Sequence, residues 1–289
     1  MTQDTLTTGA GYASPIPVRR THLGDALASE WTKIRSVRST MWTLGLMLAL
    51  VIGIGALAAA SRSGSMYVSD PLSGGFAGLV LGQVCVITLG VLVVTSEYST
   101  GMVRTTFTAC PQRVRVLAAK GVVFFALAFT LTAVAATIAA ALNYAALSDK
   151  PGTTVYDPVE GPGFIDGPDP VSVEDWLGAT VGAALYVALL GLLAVGVGAL
   201  LRHTAGAVTT MLGVILLPLV IGVFLQASGE RDLANSLIEY SPLNGLAALF
   251  LIPLEGSPES GGWKLLGLLA LVTAAVLAGA ALSLSRRDV

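Results

Sequence analysis

The stretch WLGATVGAALYVALLGLLAVGVGALL, residues 176–201, contains no Asp, Glu, Lys or Arg. A continuous apolar run of this length can cross the hydrocarbon core of a membrane, which takes about 20 helical residues. Inside hydrocarbon every backbone polar group needs a partner within the protein, so a spanning segment is either a helix or part of a closed barrel. Barrel strands alternate between apolar and polar residues, and this run does not alternate. It therefore predicts a membrane-spanning helix.

Similar apolar runs occur five more times along the chain. Of the 289 residues 54% are hydrophobic and only 12% are charged, and the mean hydropathy is +0.78. A soluble domain carries about twice that share of charge. We predict an all-α membrane protein with a disordered tail at 1–20 and one transmembrane domain at 21–289. The six predicted spans are 42–60, 76–95, 121–147, 176–201, 205–226 and 263–285.

The charged residues are unevenly divided between the two sides that these spans define. Twelve of the sixteen Lys and Arg residues fall on the side of the termini, and only five of the eighteen acids do. Cytoplasmic loops of membrane proteins carry an excess of Lys and Arg. We therefore expect a multi-pass protein of the plasma membrane with both termini in the cytoplasm.

A helix is also predicted before the first span. In residues 23–38, LGDALASEWTKIRSVR, an apolar stripe recurs at helical spacing, with Lys33, Arg35 and Ser36 facing away from it. Such a helix suits the membrane surface, with Trp31 at the level of the lipid headgroups. Glu30 and Arg38 fall on the apolar face. Either their side chains snorkel to water, or they meet charged partners elsewhere in the protein. The stripe is formed by Leu23, Leu27, Trp31, Ile34 and Val37.

Two of the predicted outer segments are long. Residues 148–175 hold seven acids and five prolines, but the acids lack the ordered spacing of a calcium loop, so a solvated loop is expected. Residues 243–252 are apolar but too short to span, which predicts a re-entrant or interfacial helix that begins at Ser241-Pro242 and ends at Pro253. Pro218 is expected to kink or break the fifth span.

Several kinds of chemistry have no support in the sequence. The chain has no G-x-x-x-x-G-K-[ST] phosphate loop, no H-E-x-x-H and no G-x-S-x-G. Its two histidines, His22 and His203, have no ligand partner at metal-binding spacing. We predict no catalytic, cofactor-binding or metal-binding residues and no enzyme activity. The span interiors also lack the ionisable residues that gradient-driven transporters usually use.

The most informative cytoplasmic segment is TSEYSTGMVRTTFTACPQRVRVLAAKG, residues 95–121. Glu97 and Arg104 are seven residues apart, which would place them on one face of a helix, and Gly101 between them allows the backbone to bend. Phe107 adds an apolar group. The bases near the third span are those that fix membrane topology. They do not account for the rest of the segment, which favours a docking surface for a cytoplasmic partner.

Two motifs in the chain resemble those of the permease subunits of ABC-2 type ABC transporters, in particular the short six-span permeases common in actinobacteria. The resemblance covers residues 23–289. The first motif, S-E-W-x-K-x-R-S, matches at Ser29, Glu30, Trp31, Lys33, Arg35 and Ser36. The second matches at Glu97, Tyr98, Gly101, Arg104, Pro111, Arg113 and Lys120.

The resemblance implies a function and a set of partners. Residues 22–38 would form the elbow helix, with Glu30, Trp31, Lys33, Arg35 and Arg38. The segment 97–110 would hold the coupling helix, and residues 243–252 a re-entrant helix. Two permeases, expected to be a homodimer, would assemble with two ATPase subunits that bind ATP and Mg, and would export a hydrophobic or amphipathic small molecule or lipid. The ATPase-coupling surface would comprise Glu97, Tyr98, Gly101, Arg104 and Phe107.

The same geometry offers partners for the two charges on the apolar face of the elbow helix. Glu30 and Arg38 would pair with Arg104 or Glu97 where the elbow and coupling helices meet. Two other functions remain open, an ATP-independent secondary transporter and a membrane scaffold without transport activity. Membrane lipids are expected partners, and nucleic acid is not.

Overall fold

The computed structural model describes residues 22–63, 71–109, 112–148, 155–157, 161–163, 171–252 and 262–286. These residues are mostly helical, and six helical segments among them are long and apolar enough to span a membrane, as predicted. The predicted tail at 1–20 lies outside the described residues. So do Cys110, Pro111 and most of the acidic loop at 148–175.

The spanning segments are Arg38–Arg62, Ser73–Ser99, Arg113–Leu147, Val173–Leu201, Thr204–Ser228 and Gly262–Arg286. In chain order the helices are α1 (Leu23–Ser36), α2 (Arg38–Arg62), α3 (Phe76–Ser99), α4 (Met102–Ala109), α5 (Arg113–Leu147), α6 (Val173–Leu177), α7 (Ala183–Leu201), α8 (Thr204–Ser228), α9 (Arg231–Glu239), α10 (Pro242–Leu249) and α11 (Gly262–Arg286). A 3₁₀ turn at Ser73–Gly75 precedes α3, and a π-helical turn at Gly178–Gly182 joins α6 to α7.

The long helices form a bundle with two distinct ends. At one end, here called the proximal end, α2 begins, α3 ends and α5 begins. The Thr204 hydroxyl donates to the Thr95 hydroxyl there at 2.9 Å, and Arg113 Nη1 donates to the Leu284 carbonyl at 3.4 Å. At the opposite, distal end, Asn143 Nδ2 donates to the Gly55 carbonyl at 2.9 Å. The chain therefore crosses the bundle six times and returns its last helix to the proximal end.

Helix α7 lies at the centre of the bundle and packs against α3, α5 and α11. Close contact between α3 and α7 depends on Gly90 and Gly191. A Cβ atom on Gly90 would collide with the Gly191 carbonyl oxygen, and one on Gly191 would lie 2.8 Å from a ring carbon of Phe124. In a membrane the helices gain no hydrophobic stabilisation from leaving lipid, so close packing of small residues supplies much of their attraction.

Helix α1 differs from the predicted amphipathic helix in its boundary, and the structure shows which of its residues contact the bundle. It ends at Ser36, because Val37 is extended and Arg38 already begins α2. Glu30 and Ile34 are buried against the bundle. Part of the predicted stripe is exposed instead, including Leu23 and Trp31, each 49% exposed. The helix is turned in this way because Glu30 has ionic partners inside the bundle.

The distal end contains two short helices, of which the sequence predicted one. Helix α10 begins as predicted, with the Ser241 hydroxyl accepting from the Asn244 backbone amide. It ends at Leu249, before Pro253, which lies outside the described residues. Helix α9 lies in a region for which no helix was predicted, and it packs against α8. Pro218 does not break α8, which continues through it.

A short antiparallel pair of strands interrupts the acidic distal loop. Val155–Asp157 pairs with Gly161–Gly163, with Tyr156 opposite Pro162. These segments were expected to be irregular, so the loop has some regular backbone structure where it is described.

Candidate functional site

Four charged side chains meet at the proximal end of the bundle. Glu30 accepts from Lys33 Nζ at 2.8 Å through Oε1 and from Lys120 Nζ at 2.6 Å through Oε2. Glu97 Oε1 accepts from Lys33 Nζ at 2.9 Å and from Lys120 Nζ at 3.0 Å. Each carboxylate thus contacts both ammonium groups. We call these four residues, Glu30, Lys33, Glu97 and Lys120, the charge ring.

Three helices supply the charge ring. Glu30 and Lys33 are three residues apart on α1, so they share one face of that helix. Glu97 lies in the last turn of α3, and Lys120 lies two turns into α5. The ring therefore connects a peripheral helix to two spanning helices that are far apart in sequence.

The charge ring is largely removed from water. Glu30, Lys120 and Glu97 are buried, and only the Lys33 side chain retains appreciable exposure, at 28%. Withdrawing single ions from water costs several kcal/mol each, so such groups persist only when they are fully paired. Two positive and two negative charges make the ring neutral overall. The pairing therefore holds α1 against the end of α3 and the start of α5.

Lys33 lies outside the spanning segments, and its surroundings raise its pKa. Burial lowers the pKa of Lys33, but hydrogen bonds and electrostatic attraction from Glu30 and Glu97 outweigh that effect. The net result is a pKa above the ordinary value of 10.5. Lys33 consequently remains protonated at neutral pH and keeps both of its carboxylate contacts.

The predicted coupling segment is bent rather than continuous. Helix α3 ends at Ser99, Gly101 adopts a positive φ of 74°, and α4 begins at Met102. Glu97 and Arg104 thus belong to different helices, and the prediction that they share one helical face is wrong. A positive φ suits glycine because it has no Cβ, so the predicted bend at Gly101 is confirmed. The side chains of Arg104 and Phe107 lie outside the described part of the structure.

Tyr98 contacts the loop between α7 and α8. The Arg202 guanidinium lies over the Tyr98 ring, 5.2 Å from its centre. Arg202 ends α7 in a left-handed conformation, with φ of 54°. A cation over an aromatic face is attracted by the ring electrons. This contact connects the end of α3 to the neighbouring proximal loop.

The structure gives Glu30 two lysine partners, and the side chain of Arg104, an expected partner, lies outside the described residues. Glu30 was predicted to meet a charge from the segment after the second span, and it does share two lysines with Glu97. Its partners, however, are Lys33 and Lys120. Arg38 is exposed at the start of α2 and makes no ion pair with Glu30. Lys33, predicted to lie opposite the apolar stripe of this helix, turns towards the bundle, whereas Arg35 is exposed.

Sequence reasoning missed the role of Lys120. Its position at the start of the third span resembled that of any base that fixes topology. The spacing of Lys120 nevertheless indicated its position, because it lies four residues from both Val116 and Phe124 and therefore on the same helical face. All three residues are buried in the structure. A lysine on the inward face of a spanning helix needs an anion.

A cleft of about 460 Å³ opens beside the charge ring. It lies between the start of α2 and the second half of α3, with Lys33 and Glu97 at one side. Its lining includes serine and threonine side chains of α2 and α3 as well as Leu89, Leu92 and Val93. The cleft therefore combines polar and apolar surfaces at the boundary of the spanning segments.

Among the described residues, no three His, Cys, Asp or Glu side chains lie close enough together to hold a metal ion. The carboxylates of the charge ring are occupied by lysines, which suits a structural connection more than acid–base chemistry. The chain matches no protein-family model, and no curated protein is a significant match to it.

Proposed function

We propose that this chain is the permease subunit of an ATP-driven ABC-2 type transporter, coupled to a separate ATPase through residues 97–110. The observation that carries the proposal is the charge ring. It connects α1, the end of α3 and the start of α5 at the end of the bundle where α4 is attached. The two sequence motifs that resemble those of ABC-2 permeases contribute all four of its residues, Glu30 and Lys33 from the first and Glu97 and Lys120 from the second.

The ring gives a physical route from a cytoplasmic partner to the spanning helices. Helix α4 follows α3 immediately after the bend at Gly101, and Glu97 lies four residues before that bend. A partner that moves α4 would displace the end of α3. Because Glu97 is bonded to Lys33 and Lys120, the displacement would reach α1 and α5 together.

In this proposal the short helices have distinct roles. Helix α1 is the elbow helix, α4 is the coupling helix and α10 is a re-entrant helix at the outer side. Two copies of the chain and two ATPases form the transporter in the plasma membrane, and ATP and Mg bind to the ATPases. The transporter exports its cargo, which is a hydrophobic or amphipathic small molecule or a lipid.

The distribution of charge favours this function over a secondary transporter. Asp, Glu, Lys and Arg side chains in the spanning segments lie near the segment ends, at positions such as Arg62, Glu97, Lys120 and Lys264. Gradient-driven carriers commonly place ionisable groups deeper, where they relay or coordinate ions. A transporter that is driven by a separate ATPase does not need ionisable groups deep in its spans.

The proposal is tested by purifying the tagged full-length protein from native membranes in mild detergent and identifying the proteins that accompany it. We expect an ABC ATPase and ATP hydrolysis in the purified complex. Thr105→Glu and Thr108→Glu change exposed positions on α4 and should release the ATPase. Ser228→Glu introduces the same charge at an exposed position of the distal end and should not.

Two results would contradict the proposal. One is the absence of any ATPase even after cross-linking in intact membranes. The other is equal retention of the ATPase by the α4 variants and by Ser228→Glu, which would show that α4 is not the docking element. Glu97→Ala is unsuitable as a first test, because the loss of a buried carboxylate would disturb the fold itself.

A further inference from the structure

We propose that helix α10 is a movable plug of the distal end, and that the π-helical turn at Gly178–Gly182 decides whether this plug is docked. The plug is docked only while the turn keeps its extra residue, and rewinding the turn into an α-helix releases it. The inference goes beyond the proposed function, because it concerns the chain alone and applies whether or not an ATPase is bound.

Helix α10 docks through Leu249. This side chain is 4% exposed and lies among Gly178, Gly182 and Gly262, which we call the seat. A Cβ atom on Gly178 would lie 2.8 Å from the Leu249 carbonyl oxygen, and one on Gly262 would lie 2.8 Å from the Leu249 backbone nitrogen. Interiors are close-packed and cannot absorb contacts this short against backbone atoms. Docking therefore requires glycine at both positions of the seat.

The π-helical turn determines which residue occupies the seat. The Ala183 amide donates to the carbonyl of Gly178, five residues back, as in a π-helix. In an α-helix the same amide would donate to the carbonyl four residues back, which belongs to Ala179. Rewinding would therefore move Ala179 into the position of Gly178, and its methyl group would meet the Leu249 carbonyl oxygen. The α-helical form of the turn and the docked form of α10 thus exclude each other.

Helix α10 is held in place by packing and not by polar bonds to its neighbours. Within the part of the chain that the structure describes, its hydrogen bonds stay inside residues 238–252. The helix contains no charged residue. At its end the Phe250 ring meets the Phe76 ring edge-on, with 6.0 Å between the ring centres. Undocking therefore leaves no buried charge without a partner, unlike the opening of the charge ring.

The docked form also holds a leucine in an unfavourable backbone conformation. Leu251, two residues after Leu249, has a φ of 54°. Bulky residues rarely adopt a positive φ, and such conformations persist only where the surrounding structure enforces them. The Leu251 side chain is 61% exposed, so little packing compensates for the strain. Release of α10 would allow Leu251 to return to an ordinary conformation, which lowers the cost of undocking.

The test is a pair of single-residue deletions that differ by one methyl group. Deletion of Ala179 gives an α-helical turn with Gly178 in the seat, so α10 should stay docked. Deletion of Gly178 gives the same turn with Ala179 in the seat, so α10 should be released. Docking is read from Leu246→Cys, at a position of α10 that is fully buried. The full-length protein in detergent micelles carries Cys85→Ala and Cys110→Ser, so that this cysteine alone reacts with a small maleimide.

The two deletions should change the labelling rate in opposite directions. Relative to the chain without a deletion, labelling should be about tenfold faster when Gly178 is deleted, as one overpacked methyl group would give. It should be slower when Ala179 is deleted, because rewinding then no longer brings a methyl group into the seat. Equal rates for the two deletions would overturn the inference. So would equal rates with and without Ala179, since the register of the turn would then not control release.

Substitutions separate release of α10 from damage to the fold. Gly178→Ala adds the same methyl group without removing a residue and should also speed the labelling. Gly267→Ala is the matched control, because a Cβ there meets nothing within 4 Å, and it should leave the rate unchanged. Thermal unfolding should show that the variants are folded. Should the deletions fail to fold, an unchanged rate in Gly178→Ala would by itself overturn the inference. No ATPase takes part in the assay, so its result is independent of the proposed function.

Discussion

Each residue of the charge ring depends on the others. Lys120 neutralises Glu30 and Glu97 within a region that excludes most water, and Lys33 repeats both contacts from the exposed side. Removing one partner leaves an uncompensated buried charge, which is far more costly than removing a neutral pair. The ring is consequently a specific connection: it is favourable only when all four side chains have their partners.

A double-mutant cycle on Glu30 and Lys120 tests this dependence. Lys120→Met and Glu30→Gln should each lower the free energy of unfolding by about 3 kcal/mol, because each leaves a buried charge without its partner. The double variant retains the Lys33–Glu97 pair and has no uncompensated charge. Its loss should therefore be smaller than the sum of the single losses by about 1–3 kcal/mol.

The measurement is reversible unfolding of the purified protein in mixed detergent micelles. Arg35→Gln serves as the control, since Arg35 is exposed on the same helix and its loss should change stability by no more than about 0.5 kcal/mol. Strictly additive losses for the two ring variants would show that Glu30 and Lys120 do not act as a pair.

At the scale of the element, spanning helices were predictable and their connections less so. Six helices followed from apolar runs of bilayer length, because composition alone decides whether a segment remains in lipid. The docked position of α1 did not follow, because hydrophobic periodicity indicated only a helix at the membrane surface, whereas ion pairing of Glu30 holds it against the bundle. Glu30 on an apolar face was the correct signal of a partner. Its partner Lys120 was hidden among the bases that fix topology.

Close contact between α3 and α7 is tested by adding a single methyl group. Gly191→Ala would place a Cβ 2.7 Å from a methyl carbon of Val86, so the helices must separate, and such overpacking costs about 1–3 kcal/mol. Gly267→Ala is the control, because a Cβ there meets nothing within 4 Å. The melting temperature measured in detergent should fall for Gly191→Ala and should not change for Gly267→Ala. Equal melting temperatures would contradict the packing described here.

At the scale of the whole molecule, the even number of crossings places the proximal loops on one side of the membrane. The excess of Lys and Arg on that side predicts that it is cytoplasmic. The sequence supported this arrangement because the two sides that six spans define differ clearly in their content of Lys and Arg. It gave little information on how α9 and α10 pack at the distal end, which depends on contacts between distant segments.

Cysteine labelling in intact cells tests this orientation. In a Cys85→Ala, Cys110→Ser background, a cysteine replacing Ser228 at the distal end should react with a membrane-impermeant maleimide. A cysteine replacing Ser285 at the proximal end should react only after the membrane is permeabilised. Both serines are exposed, so accessibility should depend on side alone. The reverse pattern would place the termini outside, and labelling of both from outside would contradict six spans.

The charge ring also sets an order of assembly during synthesis. Glu30 is made early, but Lys120, which lies 90 residues later, is needed to complete its pairing. Until the third span has entered the bilayer, the ring lacks Lys120 and holds two carboxylates against one ammonium group. We therefore expect α1 to dock stably only after Lys120 has been made, which closes the proximal end.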